Sequence, residues 1–174
     1  MLYEDEASFY RQPSQGWLWA CMGRQQPRMP FAHGANTRVR ILGLLDAVTG
    51  AVWHTEKSCI DRKTFARAVR AAAGGYPLAR RIFVVVDNWP VHFHPDAMAI
   101  LAKDPRIELV SLPTYSPWLN AIEKLWRWLR QKVVHAHPYA RDFGLFKQRL
   151  SQALDSLADG SPALLQYVGL GKVN

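Results

Sequence analysis

A chain of 174 residues, 49% of them hydrophobic, is long enough to bury a substantial core, and this composition excludes a disordered protein. No apolar run approaches the roughly 18 residues that a membrane-spanning helix needs, and the N-terminus shows no signal-peptide pattern. The two cysteines have no metal-binding spacing and indicate no disulfide framework, so we expect one cytoplasmic domain over residues 1–174.

The net charge of +8 is concentrated in two basic segments. Residues 57–81 hold seven Lys or Arg and one acidic residue, and residues 124–149 hold seven against one. Clustered Lys and Arg favour a polyanionic partner such as nucleic acid, because they neutralise its phosphates. The alternative is that both segments are ordinary solvent-exposed helix faces that keep the protein soluble.

The first third of the chain predicts β-strands, one of which carries an acidic cluster. Predicted strands cover residues 2–7, 17–20, 38–46 and 51–57, the last two joined as a hairpin. Side chains alternate along a strand, so the first strand places Asp5 on one face and Glu4 and Glu6 on the other.

The rest of the chain alternates helices and strands. Helices are predicted from Asp61, as N-cap, to about residue 73, over 95–103, from 117 onward and over 143–157, and strands over 82–86 and 107–112. In the long helix from residue 117, a buried stripe recurs at Leu119, Ile122, Trp126, Leu129 and Val133. The order of elements predicts an α/β fold, a mixed sheet with helices on its faces.

Acidic residues from three separate elements suggest a site for divalent cations. Asp87 directly follows the apolar run at 82–86, which reads as a strand buried on both faces, and open α/β sheets keep their sites at such strand ends. Glu123 lies near the start of the long helix, and the cluster Glu4-Asp5-Glu6 supplies a third acidic position. Mg²⁺ prefers a few carboxylates and keeps several waters, so three such elements suffice for a site that cleaves phosphodiesters.

Each acidic residue also has a structural interpretation. Glu123 is spaced to pair with Arg127 on a helix surface, a contact worth about 0.3–0.5 kcal/mol. Asp87 is placed to form a turn by accepting a hydrogen bond from a backbone N–H two positions on. In the first cluster, spacing does not decide which residue belongs to a site, and all three fit a solvated strand.

Three segments of the chain resemble the DDE transposases, and most closely the bacterial insertion-sequence 630 family, whose members are relatives of the mariner transposases. They are Asp5-Glu6-Ala7, Val86-Asp87-Asn88 followed by His92, and the segment from Leu112 to Trp126. The last contains Pro-x-Tyr-Ser-Pro-x-Leu-Asn-x-Ile-Glu and is the most specific. The family usually has Pro where this chain has Ala121, a change that removes a helix-starting preference but no ligand.

The resemblance implies an RNase H-like, retroviral-integrase-like fold with a mixed five-stranded sheet flanked by helices. It also implies that Asp5, Asp87 and Glu123 are the catalytic residues and hold two Mg²⁺ or Mn²⁺ ions. In the implied reaction, water attacks a phosphodiester at a transposon end, and the freed 3′-OH attacks double-stranded target DNA, commonly at a TA step. Candidates for supporting the ligands or contacting DNA are Asn88, His92, Asn120, Lys124, Arg127 and Arg130.

By the same analogy we expect a homodimer on DNA, associated with the bacterial nucleoid when bound. Family members usually carry helix-turn-helix modules before the catalytic domain, and a first catalytic residue at position 5 leaves no room for them in this chain. Two alternatives therefore stay open. One is a truncated, non-catalytic remnant that acts as a DNA-binding or interaction module, and the other is a different RNase H-like nuclease, which fits the acidic site but not the third motif.

Several histidine and tryptophan residues are further candidates for the site. The pairs His92/His94 and His135/His137 lack the additional ligands that a zinc site needs, so ordinary loop positions are favoured, with His92 alone placed near Asp87. Trp126 falls on the buried stripe and is predicted to be core. Two other tryptophans, Trp89 and Trp118, flank the proposed ligands and are better candidates for stacking on bases.

Overall fold

The structure, a computed structural model, describes residues 1–14, 19, 21–24, 37–114 and 116–171. Its strands are β1 (Leu2–Tyr10), β2 (Arg38–Asp46), β3 (Val52–Lys57), β4 (Ile82–Val86) and β5 (Ile107–Ser111). Its α-helices are α1 (Arg62–Gly74), α2 (Pro95–Leu101), α3 (Ile122–Leu129), α4 (Phe143–Asp155) and α5 (Pro162–Val168). Apart from Trp19, the strand predicted at 17–20 lies outside the described residues.

The five strands form one mixed sheet in the order β3-β2-β1-β4-β5, which confirms the predicted five-stranded sheet flanked by helices. The first three strands are antiparallel neighbours, while β4 runs parallel to β1 and β5 parallel to β4. Leu2 pairs with Val84 and Tyr3 with Val85. Continuing that register brings Asp5 level with Asp87, the residue that follows β4.

Two hydrophobic layers cover the two faces of the sheet. One lies between the sheet and α1 and α2 and includes Leu2, Phe65 and Val84. The other lies between the sheet and the three C-terminal helices and includes Phe9, Trp126 and Phe146. Neighbouring β1 residues therefore enter different layers, as expected from the alternation of side chains along a strand.

Side chains cap the helices where the sequence predicts a start. Asp61 accepts a hydrogen bond of 2.8 Å from the backbone N–H of Thr64 at the start of α1. Asp142 and Ser161 cap α4 and α5 in the same way, although α5 was not predicted. Among the described residues, no helix combines the length and the apolar character that crossing a bilayer requires.

The prediction of one long helix from residue 117 is wrong at its start. A 3-10 turn occupies Pro117–Leu119, α3 begins only at Ile122, and a π-helical turn at Arg130–Val134 follows α3. The helix is interrupted because Asn120 is buried and its Nδ2 donates a hydrogen bond of 2.9 Å to the Glu4 carbonyl on β1. Leu119, predicted to be buried, is consequently 48% exposed, whereas the rest of the predicted stripe is buried.

Candidate active site

An open cleft of about 380 Å³ lies where β4 ends, between the middle of β1 and the first turn of α3. It is lined by Asp5, Asp87, Asn88, Trp89, Pro90, Leu112, Pro113, Thr114, Ser116, Asn120 and Glu123. The cleft therefore brings together the three acidic residues, which come from β1, the end of β4 and α3. Such a position, at the carboxyl end of a central strand, is where open α/β sheets keep their sites.

Asp5 points from the middle of β1 into the cleft and is largely buried. Its Oδ2 accepts a hydrogen bond of 2.9 Å from Nε1 of Trp126. Burial, followed by the nearby negative charge of Glu123, raises the pKa of Asp5 to about 7, although hydrogen bonds from Glu6 and Trp126 oppose the rise. Asp5 thus carries an electrostatic cost that a cation in the cleft would remove, because opposite charge favours the ionised carboxylate.

The indole that holds Asp5 depends on a glycine in the neighbouring strand. A Cβ atom at Gly43 would lie 2.5 Å from Cη2 of Trp126, closer than real side chains approach. The ring therefore lies directly against the backbone of β2, with Phe9 packed edge-on at 6.0 Å between ring centroids. Trp126 is 1% exposed, which confirms its prediction as core and fixes the direction of its N–H donor.

Asp87 is held in a turn at the rim of the cleft, and its side chain is 57% exposed. Its Oδ1 accepts hydrogen bonds of 2.9 Å from the backbone N–H of Trp89 and 2.9 Å from Nε2 of His92. The predicted turn is confirmed, and it coexists with a place in the cleft. His92 is buried between the rings of Phe65 and Trp89, at 4.5 and 5.7 Å between centroids, which fixes its position behind Asp87.

Glu123 lies in the first turn of α3, and its side chain is exposed to the cleft. No ion pair joins it to Arg127, although both residues belong to the described part of the chain. The interpretation of Glu123 as one half of a helix-surface salt bridge is therefore wrong. Its carboxylate faces Asp5 closely enough to be the main charge that raises the pKa of Asp5.

Glu4 and Glu6 lie on the opposite face of β1 from Asp5, as the alternation predicts. Glu4 is 1% exposed, and neither of its carboxylate oxygens has a hydrogen-bond partner among the described residues. Nε2 of His92 lies 3.9 Å from Oε2 of Glu4. Burial, then the charges of Glu6, Asp5 and Asp87, raises the pKa of Glu4 well above its ordinary value. The approach of Glu4 to His92 was missed, because nothing local in the sequence signals it.

Two asparagines line the cleft and connect its walls. Nδ2 of Asn88 donates a hydrogen bond of 3.2 Å to Oγ1 of Thr114, which ties the loop after β4 to the loop after β5. Asn120, bound through its Nδ2 to the Glu4 carbonyl, ties the approach to α3 to the middle of β1. Both residues therefore support the positions of the acidic side chains, but only Asn88 is exposed at the cleft, whereas Asn120 is buried.

The three basic candidates on and after α3 lie outside the cleft lining. Nζ of Lys124 donates a hydrogen bond of 2.9 Å to the Val168 carbonyl, so this lysine closes the end of α5. Arg127 is exposed one turn after Glu123, and Arg130 is exposed with its guanidinium 5.4 Å from the centroid of the Phe9 ring. The two arginines are available to a partner on the α3 side of the sheet.

His94 and His137 have structural roles. Nδ1 of His94 accepts a hydrogen bond from the Asp96 N–H and caps α2, while buried His137 stacks on Tyr139 and Phe146. In the described part of the chain, no three His, Cys, Asp or Glu side chains are grouped so as to hold a metal ion. Of the two stacking candidates, Trp89 is 42% exposed and lines the cleft, whereas Trp118 is 74% exposed and does not.

Comparison with known proteins shows which family the chain belongs to. The model of the DDE superfamily endonuclease family matches residues 1–144. The insertion element IS630 uncharacterized 39 kDa protein of Shigella sonnei is 26% identical over 148 residues, which are 85% of this chain and 43% of that protein.

Solved structures share the fold at low sequence identity. The Mos1 transposase paired-end complex with left transposon end matches with a TM-score of 0.66 at 14% identity, over 97% of this chain and 51% of that one. The catalytic core domain of BIV integrase matches with a TM-score of 0.51 at 19% identity, over 68% and 74%. The fold is thus RNase H-like, as in transposase and integrase cores, and the chain spans about half the length of the insertion-element protein and of the Mos1 transposase that it matches.

Proposed function

Because the chain belongs to the DDE superfamily endonuclease family, as a DDE transposase of the insertion-sequence 630 and mariner type, we propose that it cleaves and rejoins DNA. Asp5, Asp87 and Glu123 are the proposed catalytic residues. The observation that supports this role is that carboxylates from three separate elements line one open cleft. Charges so arranged repel one another, and a protein keeps such a cluster at a cost that a cation offsets.

The proposed cofactors are two divalent cations, Mg²⁺ or Mn²⁺. Structures of the mariner Mos1 paired-end complex have been solved with Mn and with Mg. In this chain the donors are carboxylate oxygens, which suit hard cations. Asp87 would serve both ions, with Asp5 on one side and Glu123 on the other.

A bound pair of such cations activates water at neutral pH and stabilises the charge on the attacking and leaving oxygens of a phosphodiester. The protein's own contribution is to hold the carboxylates in place. Trp126 orients Asp5, while the Trp89 N–H and His92 orient Asp87. Both steps, cleavage by water and attack by the freed 3′-OH, are in-line displacements at phosphorus, so one cleft serves both.

The proposed substrate is double-stranded DNA, at transposon ends and at a TA-type target. Asn88 is exposed in the lining of the cleft, and exposed Arg127 and Arg130 supply positive charge on the α3 side. Arginines in such positions neutralise phosphates and orient the duplex without reading its sequence. By family analogy, two copies of the chain act together on DNA.

A plasmid-nicking assay tests the proposed function. We expect wild-type protein to nick supercoiled DNA in Mn²⁺ or Mg²⁺ and not in EDTA. Asp87→Ala should lower the rate more than about 100-fold, because loss of a supporting residue alone costs 10–100-fold at metal sites. Asp159→Ala is the matched control, since this aspartate is exposed in the turn between α4 and α5, far in sequence from the cleft residues.

Equal nicking by wild type and Asp87→Ala would overturn the proposal. If none of the three proteins nicks at any metal concentration but all bind DNA, the chain is the non-catalytic DNA-binding module that was the alternative.

A further inference from the structure

We propose that the end of the sheet beyond Asp5 is a second DNA-binding surface, along which one DNA strand lies as it leaves the catalytic cleft. This basic track consists of Arg38, Arg40, Lys57 and Lys147. The inference rests on the proposed function, because it names the path of the DNA that the cleft would cut. Its strand residues Arg38, Arg40 and Lys57 lie on the other face of β1 from the arginines of α3, and Lys147 of α4 completes it beyond the edge of the sheet.

Strand register places the first three cations on one face. Arg40 pairs with Ser8 of β1 on one side and with Lys57 of β3 on the other. Directly paired residues in antiparallel strands share a face, and residues two apart on one strand also share it. Arg38 therefore joins Arg40 and Lys57 on the face that also carries Glu4 and Glu6.

The track is continuous with the catalytic cleft through Trp89. That indole lines the catalytic cleft and also a second cleft of about 120 Å³, whose other residues include Ser8 and Arg40. Arg38, Lys57 and Lys147 line a third cleft of about 200 Å³ further along the sheet. Trp89 thus joins the first two clefts, and Arg38, two residues from Arg40 on β2, connects the second to the third.

The length of the track suits several nucleotides. Tyr10, which pairs with Arg38, is five residues beyond Asp5 on β1, or about 17 Å at 3.3–3.4 Å per residue. One DNA strand has a phosphate about every 3.4 Å of helix axis, so about five phosphates span this distance.

The positive charge of the track is only partly offset within the described structure, where Arg40 opposes the rise that burial causes in the pKa of Glu6. None of its four cations forms an ion pair with a described carboxylate. Two of them rest on aromatic rings instead, with Arg38 5.9 Å from the Tyr10 centroid and Lys147 5.4 Å from that of Phe143. Glu6 and Glu56 are the acidic residues in the second and third clefts, so cations outnumber acids along the path.

The opposite side of β1 carries a different pair of cations. Phe9 faces the layer under α3, and Arg130 lies over its ring. Arg127 and Arg130 therefore flank the strand from one side, and Arg38, Arg40 and Lys57 of the basic track lie on the other. DNA that enters along α3 has a separate charged surface along which to leave.

Salt dependence of DNA binding tests the track. A fluorescein-labelled duplex is titrated in EDTA, in an Asp87→Ala background, at several salt concentrations. Each lost phosphate contact should reduce the slope of log K against log salt by about 0.9. We expect the triple variant Arg38→Gln/Arg40→Gln/Lys57→Gln to reduce it by about 2–3 and to weaken binding at least about tenfold at low salt.

The matched control removes the same charge elsewhere. Lys63→Gln/Arg67→Gln/Arg70→Gln changes three exposed cations on α1 that line none of the three clefts. Its slope of log K against log salt should change by less than about 0.9, the value for one phosphate contact. Equal changes in the two triple variants would overturn the track, because only net charge would then matter.

Single variants decide the question if a triple variant does not fold. Lys57→Gln changes an exposed residue at a strand end and should reduce the slope by about 0.9, whereas Lys63→Gln should leave it unchanged. Equal slopes for these two would overturn the track. Failure of the track and failure of the proposed function remain distinguishable. Wild type that binds through the track but does not nick refutes the function alone, and wild type that nicks without a track effect refutes the track alone.

Discussion

Two neighbouring carboxylates of β1, Asp5 and Glu4, lie on opposite faces of the strand and have different surroundings. On the α3 side, Asp5 faces an open cleft and accepts a hydrogen bond from Trp126. On the α1 side, Glu4 is sealed from solvent, with His92 at 3.9 Å and no hydrogen-bond partner in the described structure. Glu4 is fully buried, Asp5 is partly buried, and both have raised pKa values. Burial of an acid therefore does not by itself identify a catalytic group.

The two acids differ in their access to solvent and in the side chains around them. The cleft that contains Asp5 also contains the side chains of Asp87 and Glu123, and it is open to a substrate. Glu4 instead lies beside the layer that includes Phe65, where a charged ligand has no path of entry in the described structure. Because adjacent residues of a strand face opposite sides of the sheet, Asp5 reaches the proposed catalytic cleft, whereas Glu4 lies in the interior.

The largest expected effect comes from exchanging each acid for its amide. Asp5→Asn should lower plasmid nicking more than about 100-fold, since it removes a proposed ligand rather than a supporting residue. Glu4→Gln should lower nicking less than about tenfold, because it lies behind the site and touches neither cleft nor substrate. Initial rates in Mn²⁺ check both variants. Similar losses in the two would contradict the division between the faces.

A smaller effect is expected from the residues that orient the acids from each side. Trp126→Phe lacks the N–H donor to Asp5 and the part of the indole that lies against Gly43, so nicking should fall about tenfold and the thermal midpoint should fall as well. His92→Ala removes the donor to Asp87 and leaves a cavity between Phe65 and Trp89. Its nicking should fall about 10–100-fold and its thermal midpoint should fall as well.

A conservative variant separates positioning from packing on the α1 side. His92→Gln retains a side-chain N–H donor in nearly the same place as Nε2 and should recover part of the nicking lost in His92→Ala. Nicking rates and thermal midpoints measured together give the comparison. If His92→Gln is as impaired in nicking as His92→Ala while regaining stability, the hydrogen bond to Asp87 has no positioning role.

Much of the fold follows from local sequence patterns. The apolar run at 82–86, the alternation at 2–7 and the turn between β2 and β3 predict strands because their signals lie within a few residues. Asp87 is placed at the end of its strand by the same reasoning. That three acids meet in one cleft was not predictable from spacing and came from resemblance to a family.

Features set by distant contacts escaped prediction. Asn120 interrupts the helix because its side chain bonds to the Glu4 carbonyl, 116 positions away in sequence. Leu119 fits the helical period but lies in the resulting 3-10 turn and is exposed. The approach of His92 to Glu4 likewise depends on two elements that meet only in the folded sheet.

The smallest expected effect is a pH dependence of stability in the metal-free protein. The folded pKa of Asp5 is about 7, above its ordinary value of 3.8, so the folded state binds more protons than the unfolded state between these values. Stability is then lost as pH rises through this window. Glu4 acts in the same direction, whereas burial lowers the pKa of His92 and opposes them.

The amide variants isolate these contributions, because His92 is common to all the proteins compared. In EDTA, Asp5→Asn and Glu4→Gln should raise the thermal midpoint relative to wild type near about pH 8 but not near about pH 5. A change of about 1 kcal/mol corresponds to about 2–4 °C for a chain of this size. Mn²⁺ should remove the advantage of Asp5→Asn, because a cation stabilises the ionised aspartate and not the amide, while the advantage of Glu4→Gln persists. A Mn²⁺ effect on both variants alike would place Glu4 within reach of the ion and break the distinction between the two faces of β1.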